Sequence, residues 1–396
     1  MNAEQRYDYA IVGGGLQGCL LAQAIACRQP KAAVLIVERA EDICGNHTWS
    51  FHETDVPEAA RDWFGPLASH RWPGYRVRFP GYSRRVGIAY ATITADSLRR
   101  ATRALTEVPQ TSAGRPLTLL TGESCDILSP SSLRLGDGTL VQSRVVVDCR
   151  GRAASAGGRG GAGFQTFLGR EYRIAKRWPA AEPTVMDVPD DQASGFEFLY
   201  ELPLGPDRVL LEYTRFAEAS ACDDGRAERL IATRLTEVGV EPVELLRTET
   251  GCLPMPYAAT PPVAGTAIAG GYAGGWYHAA TGYSMPLAVR FADLVASTPA
   301  ERVAEELAAT IAAERRRQVF ARFLNRLLFC LVKPTDRWKI FRRFYRVLSD
   351  DRIARFYGHR FTVGDAARIV IGRPPSGLAP IRFLRSFRPQ TETVLR

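Results

Sequence analysis

The chain has no Cys-x-x-Cys pair, no uninterrupted apolar run of about 18 residues, hardly any lysine and only 5 histidines. Each shortage narrows the possibilities. The eight cysteines, Cys19, Cys27, Cys44, Cys125, Cys149, Cys222, Cys252 and Cys330, are scattered rather than grouped as a zinc module or thiol–disulfide motif requires. No secretory leader pattern precedes the first strand, so the expectation is a reduced, cytosolic protein. Without a long apolar run no segment is expected to cross a bilayer, which leaves attachment to a membrane surface open. Lys31, Lys176, Lys333 and Lys339 are the only lysines among 51 Lys+Arg. The formal charge of +9 sits at one end: residues 301–396 hold 21 Lys+Arg against 9 Asp+Glu, leaving 30 against 33 for residues 1–300. No helix-turn-helix, zinc-finger or RNA-binding signature accompanies that basic end, so nucleic acid is not the expected partner.

What is present begins with a nucleotide-binding opening. Residues 7–12 (YDYAIV) form a short apolar run that empties into Gly13-Gly14-Gly15-Leu16-Gln17-Gly18. Residues 19–28 are apolar and alanine-rich, as a helix requires, and residues 33–38 (AVLIVE) read as a second strand ending in an acid. Strand, glycine turn, helix, strand and acid in that order make a dinucleotide-binding βαβ unit. Gly13 permits the tight turn, Gly15 lets a pyrophosphate approach the backbone, and Gly18 lets helix and strand pack closely. The helix N-terminus offers unpaired N–H groups to the phosphates. Glu38, twenty residues beyond Gly18, is placed to accept hydrogen bonds from ribose hydroxyls. An opening of this kind at the front of a chain favours FAD over NAD by analogy with many flavoproteins.

Two later segments extend the site. Residues 144–151 (RVVVDCRG) read as another strand of the same sheet, closing on Asp148. Residues 267–275 (AIAGGYAGG) run from a strand into glycines, and residues 281–286 (TGYSMP) lead into a helix over 287–296. Asp148, Gly274 and Gly282 are therefore further cofactor-contact candidates. FAD enzymes commonly place a Gly-Asp pair here against the flavin's sugar chain; Tyr272 stands where that acid would be, which argues against an ordinary monooxygenase.

Residues 76–79, 84–91, 196–202 and 208–214 have strand character, the last two joined by the turn-rich Pro203-Leu204-Gly205-Pro206-Asp207. Alternation puts Phe196, Phe198, Tyr200 and Leu202 on one face, opposite Glu197, Leu199 and Glu201. In the next strand Glu212 shares a face with Leu210, so it is either a solvated strand acid or an acid facing an apolar chamber. In the chamber its pKa would rise, suiting it to donate a proton near neutral pH. Residues 312–344 are helical in character and mix arginine with Phe, Leu and Trp, which fits either an amphipathic surface helix or snorkelling arginines over a core. In CGNHTWSFH (residues 44–52), His47 and His52 suggest a metal pair, yet no further ligand lies at metal spacing. The stretch is expected to line the cofactor or an apolar tunnel, with His47 nearer the cofactor and Trp49 nearer the apolar chain.

Gly13-Gly14-Gly15-Leu16, the GNHTWSFH run, FLYELPL at 198–204, Leu211-Glu212 and WYHAATGYSMP at 276–286 together resemble the bacterial lycopene β-cyclases, in order and over essentially the whole chain. The GNHTWSFH run is the most specific of these. The resemblance implies an FAD-dependent enzyme that closes the acyclic ψ ends of lycopene into β-ionone rings, by way of γ-carotene to β-carotene, without net redox change. Reduced flavin is needed, which implies NAD(P)H as electron source, and the implied location is cytoplasmic, peripherally associated with the membrane. The implied fold is α/β: a Rossmann-like FAD-binding domain of the hydroxybenzoate-hydroxylase/geranylgeranyl-reductase type (1–70, 92–160 and 260–300), an antiparallel-sheet substrate domain (71–91 and 161–259), and a basic, mainly helical, membrane-associating region (301–396). The essential acid carries over to Glu212, and Trp49, Trp276, His278 and Tyr283 become candidate substrate-lining residues. Ala279 stands where the family usually has proline, a departure that would loosen that loop. Neither the aspartate-rich metal motif nor the D-x-D-D acid of other terpene cyclases is present. A flavin monooxygenase or prenyl-chain reductase, and a non-catalytic carotenoid-binding flavoprotein, are the competing readings.

Overall fold

The computed structural model describes residues 5–110, 114–151, 161–258 and 267–372, with 378, 380 and 383. Gln5–Val12 lies inside a seven-stranded sheet of order Thr118–Leu120, Val34–Val37, Gln5–Val12, Leu140–Asp148, Ser132–Leu135, Cys125–Ser129, with Ile268–Ala269 beside Leu140–Asp148. The neighbours of Gln5–Val12 run parallel to it, while Cys125–Ser129 and Ser132–Leu135 form an antiparallel edge. Ala10, Ile11, Val12, Leu35, Ile36 and Val37 are all buried, as in a sheet covered on both faces. On one face, helix Leu16–Arg28 packs Leu20, Leu21, Ala24 and Ile25 into one cluster with Val289, Phe291 and Ala292 of helix Met285–Ser297.

A second seven-stranded sheet runs Pro242–Pro256, Ala162–Ile174, Arg208–Ala217, Glu197–Pro203, Thr184–Asp187, Tyr75–Phe79, Tyr82–Val86. It is antiparallel except where Thr184–Asp187 meets Tyr75–Phe79. The hairpin read from the sequence is present, with Tyr200 opposite Glu212. Both of its faces are apolar: Phe196, Phe198, Leu202, Leu210 and Phe216 pack on one side, Leu199, Val209, Leu211 and Tyr213 on the other. Helix Asp224–Glu237 covers the second side with Ala227, Ile231 and Leu235, a stripe at helical spacing. From the same helix Arg226 pairs with Glu197 at 2.5 Å and Arg234 with Glu201 at 2.6 Å, both carboxylates being fully buried.

The strand read over 84–91 is two strands. Gly87 leaves the ladder, its N–H donating to Asp350 Oδ2 at 2.7 Å, so Tyr82–Val86 stays in the large sheet. Tyr90–Thr94 instead pairs with Thr48–His52 and His70–Trp72 in a three-stranded sheet.

Helices Val303–Arg326, Arg337–Val347, Asp350–Tyr357 and Val363–Val370, with the π-helical turn Leu327–Leu331, follow. Phe329, Cys330 and Tyr345 join the cluster of Phe196 and Phe216, and the Phe341 ring stacks on Phe196 at 4.6 Å. Much of the aromatic content of residues 312–344 therefore covers a core. Arg337, fully buried, reaches the carbonyls of Leu328 (3.2 Å), Phe216 (3.1 Å) and Phe329 (3.3 Å) and the Glu218 carboxylate (2.5 Å). An outer stripe of the long helix, Ile311, Arg315, Val319 and Phe323, stays exposed. No helix among the described residues is long and apolar enough to cross a membrane.

Candidate active site

Between the first glycine turn and the front face of the second sheet lies a cavity of about 670 Å³. Gly15, Leu16 and Gln17 line one end; Phe198, Tyr200, Glu212, Thr214 and Phe216 line the other. The two ends are of different chemistry.

The glycine end fits a dinucleotide. Gly13 has a φ of +107°, in the region that favours glycine. A Cβ added at Gly18 would sit 2.0 Å from the Gly13 carbonyl oxygen, whereas one added at Gly15 would meet nothing within 4 Å. Gly18 therefore closes helix onto turn, and Gly15 leaves open the space that a phosphate would take. Gly15 caps helix Leu16–Arg28 without a side-chain hydrogen bond, and Gly15, Leu16 and Gln17 bring the helix N-terminus, whose first N–H groups have no intrahelical partner, to the cavity. Gln17 donates from Nε2 to Ala288 O, but its buried Oε1 has no partner among the described residues. The Glu38 carboxylate accepts from Gly14 N (2.7 Å) and Ala40 N (2.9 Å), which anchors it over the turn with lone pairs left for a ribose.

The sheet end is an acid in an apolar setting. Glu212 lies on the cavity face with Phe198, Tyr200, Thr214 and Phe216 around it, and the part of its surface that is not covered by protein faces the cavity. Burial, then the charge of Glu249, push its pKa up to about 8, while a 2.9 Å hydrogen bond donated by the Thr214 hydroxyl and the charge of Arg247 act the other way. Near neutral pH it is a neutral carboxylic acid able to donate. Tyr200, opposite it, shares a 2.7 Å hydroxyl hydrogen bond with Tyr90.

The CGNHTWSFH stretch is a cavity wall. Cys44 and Gly45 turn with positive φ, and the chain then enters the Thr48–His52 strand. His47 sits between the rings of Trp49 (6.3 Å) and Phe167 (6.2 Å); burial, then Arg247, lower its pKa, so it is neutral. His52 bonds the Tyr75 hydroxyl at 3.1 Å. Both histidines and Trp49 line the cavity.

Not every residue singled out from the sequence does. Tyr283 lines the cavity and donates to Asp55 at 2.7 Å, and Gly282 (φ +68°) lines it beside Leu253. Trp276, however, is buried against Phe291 (5.0 Å) with its N–H on Ala269 O, and His278 is buried between Phe356 (4.8 Å) and His359 (4.9 Å). Neither faces the cavity; both brace the loop behind it. A Cβ at Gly274 would sit 2.0 Å from Ala269 O, so this glycine is needed for the turn, and Gly271 and Tyr272 reach the cavity in its place. Asp148 turns its carboxylate onto Arg150 at 2.7 Å, leaving Cys149 and Gly151 as the lining from that strand end.

One residue escaped the sequence reading. Glu212 pairs with Gly169, and Gly169 pairs with Glu249 on the far strand, so the cross-strand row Tyr200, Glu212, Gly169, Glu249 lies on one sheet face. Glu249 is 2% exposed and 2.7 Å from Arg247. Arg247 also holds Glu171 (2.9 Å) and the Thr48 hydroxyl (2.7 Å). The glycine at 169 within a strand, where it weakens the strand unless a close approach requires it, was the available signal.

Residues 8–383 match the family model described as Lycopene cyclase protein. The chain is 36% identical over 382 residues to the lycopene beta-cyclase of Pseudescherichia vulneris, covering 93% of this chain and 94% of that one. It is 35% identical to the lycopene beta-cyclase of Pantoea ananas, with 94% and 96% covered. Among solved structures, a flavin-dependent brominase superposes with a TM-score of 0.59 at 14% identity, over 92% of this chain and 97% of that one. A geranylgeranyl bacteriochlorophyll reductase-like protein from Thermoplasma acidophilum gives 0.55 at 12%, over 93% and 96%. These two likenesses bear on the fold, which is the α/β arrangement of such proteins.

Proposed function

The chain belongs to the lycopene cyclase family, and from that footing we propose that it closes the acyclic ends of lycopene into β-ionone rings in the 670 Å³ cavity, with Glu212 as the acid. The observation that carries the reading is a carboxyl group, Glu212, buried among aromatic side chains opposite a glycine cradle, where burial raises its pKa. A polyene has no polar handle, so catalysis must act on its double bonds. Glu212 gives its proton to the terminal C=C, leaving a tertiary cation; the neighbouring C=C attacks it, forming the ring bond; loss of a ring proton to a carboxylate restores neutrality. Protons and electrons balance, and no net oxidation occurs. Trp49, Tyr200 and Tyr283 line the cavity, where an aromatic face turned to a cation is worth roughly 2 kcal/mol if desolvated.

FAD fits as the cofactor: Gly13, Gly15, Gly18, the helix N-terminus and Glu38 would hold it, and in reduced form it would supply an electron-rich ring that favours a nearby cation. NAD(P)H is the electron source that primes it. Water is kept from the cation by the apolar wall of Phe167, Phe198 and Phe216. The exposed stripe Ile311, Arg315, Val319 and Phe323, in the basic quarter of the chain, supports peripheral attachment to the membrane in which such a substrate dissolves, on the cytoplasmic side. The test is anaerobic incubation with FAD, NADPH and lycopene in liposomes. Cyclic product without stoichiometric NADPH consumption is expected; unchanged lycopene, or a hydrogenated or hydroxylated pigment, would sink the assignment.

A further inference from the structure

Glu249 has no part in the chemistry described above, yet it lies in the same cross-strand row as Glu212 with only Gly169 between them. The row Glu212, Gly169, Glu249 spans three adjacent strands on the cavity face. Any side chain at 169 would stand between the two acids; a Cβ there would already be 2.8 Å from the Glu249 Cγ and 3.1 Å from its Oε1. The Glu249 side chain therefore lies over Gly169, in the space that any other residue would fill.

We propose that Glu249 is the positioning residue of the acid: ionised by its pairing with Arg247, it faces Glu212 across Gly169 and keeps the proton on Glu212. This rests on the reading of Glu212 as the proton donor. The other groups around Glu212 do not supply a negative charge. Tyr200, from the strand on the opposite side, is a neutral phenol bonded to Tyr90, and Thr214 donates its hydroxyl to Glu212. His47, in the wall, is neutral. Glu171, on the same strand as Gly169, is engaged by both Arg208 and Arg247. Arg247 is the one cation of the group that faces Glu212 as well as Glu249, and its Nη1 lies 2.7 Å from Glu249 Oε2. Burial raises both acids above the usual carboxylate range, and the 2.7 Å contact of Arg247 with Glu249 is the asymmetry by which, in this proposal, the negative charge of the pair goes to Glu249 and the proton to Glu212.

Two measurements test this. In Glu249→Gln the alkaline limb of the kcat/KM pH profile should move down by about one unit or more, because a like charge near the acid has been removed. Glu249→Asp, which keeps the charge, should hold the limb near the parental pH. A uniform loss of rate in Glu249→Gln with an unmoved limb would overturn the proposal, since a merely structural brace behaves that way. Infrared difference spectroscopy on the flavin-loaded protein at neutral pH reads the pair without turnover. A protonated-carboxyl band should be present in the parent, absent in Glu212→Gln, and weakened in Glu249→Gln. An undiminished band in Glu249→Gln would refute the pairing even if cyclisation proceeds. The parent band fading as Glu249→Gln removes its cause would stand even if the substrate were a different polyene.

Discussion

Replacing Gly15 and Gly18 separately by alanine should weaken FAD binding in both cases but lower folding stability only at Gly18, and the geometry states why. At Gly18 the new Cβ would lie 2.0 Å from the Gly13 carbonyl oxygen. An ordinary C···O contact is about 3.3 Å, so helix and turn must separate by more than 1 Å. Overpacking of that order costs about 1–3 kcal/mol, lowering the urea midpoint, and the cradle is lost with it. At Gly15 the backbone is extended, with φ of −76° and ψ of −168°, which alanine adopts freely, and the Cβ meets nothing within 4 Å. Folding stability should stay within about 1 kcal/mol of the parent, if anything higher. The methyl group would nevertheless take the open space proposed for a phosphate oxygen. Loss of one charged hydrogen bond, about 1.5–3 kcal/mol, corresponds to roughly ten- to hundredfold weaker FAD binding. Flavin fluorescence titration and urea denaturation of both variants provide the check. A Gly15→Ala protein that binds FAD as the parent does, or a Gly18→Ala protein as stable as the parent, would refute the assignment of roles.

Further predictions concern the acid and the core. Glu212→Gln should abolish ring closure while retaining bound flavin; residual activity within tenfold of the parent would remove Glu212 from the chemistry. With the pKa of Glu212 at about 8, the rate should fall about tenfold per pH unit above that value, and a flat profile to pH ~10 would contradict its role as donor. The same shift affects stability. The native carboxyl, at about 8 against 4.5 for an unperturbed glutamate, keeps a proton that the unfolded chain releases. Stability from this group is full below about pH 4.5 and is lost as pH rises to about 8, so Glu212→Gln should gain on the parent across that window in urea titrations. Arg337→Met should destabilise by about 3–5 kcal/mol, because three carbonyls and Glu218 lose a buried cation; an unchanged midpoint would show that the guanidinium is dispensable.

The cofactor half was legible because its signals are local. A glycine turn between a buried strand and a helix carries its geometry in consecutive residues, and Gly13, Gly15, Gly18 and Glu38 stand where the βαβ pattern puts them. Alternation likewise sorted Phe198 and Tyr200 from Leu199, and the two faces are those observed. The surroundings of Glu212 were not legible from its own strand, because they are made by strands far apart in sequence: Phe167 and Glu249 reach it through sheet pairing, and Tyr90 comes from a different sheet through its hydrogen bond to Tyr200. Trp276 and His278 were misplaced for the same reason, since an aromatic next to a glycine turn points inward or outward according to the helix behind it, here the one carrying Phe291 and the one carrying Phe356. The break at Gly87 depends on Asp350, beyond the reach of any local pattern.

The ion pairs between helix Asp224–Glu237 and the second sheet have a consequence for how the acid comes to be in the cavity at all. A strand with one polar face is aligned by hydrophobicity, because a slip of one residue would expose its apolar side. Glu197–Pro203 and Arg208–Ala217 lack that protection: both faces are apolar, so a slipped pairing would bury nearly as much and would turn Glu212 away from the cavity. Arg226 and Arg234 are eight residues apart on the helix, about 12 Å, and Glu197 and Glu201 four apart on the strand, about 13 Å. The two spacings agree in one alignment only. A slip by one residue would set both carboxylates among the phenylalanines and leave two arginines facing apolar side chains, a penalty far larger than any difference in packing. The back of the sheet thus works as a two-pin key that admits a single register, and the orientation of Glu212 toward its chamber is decided on the face it does not occupy.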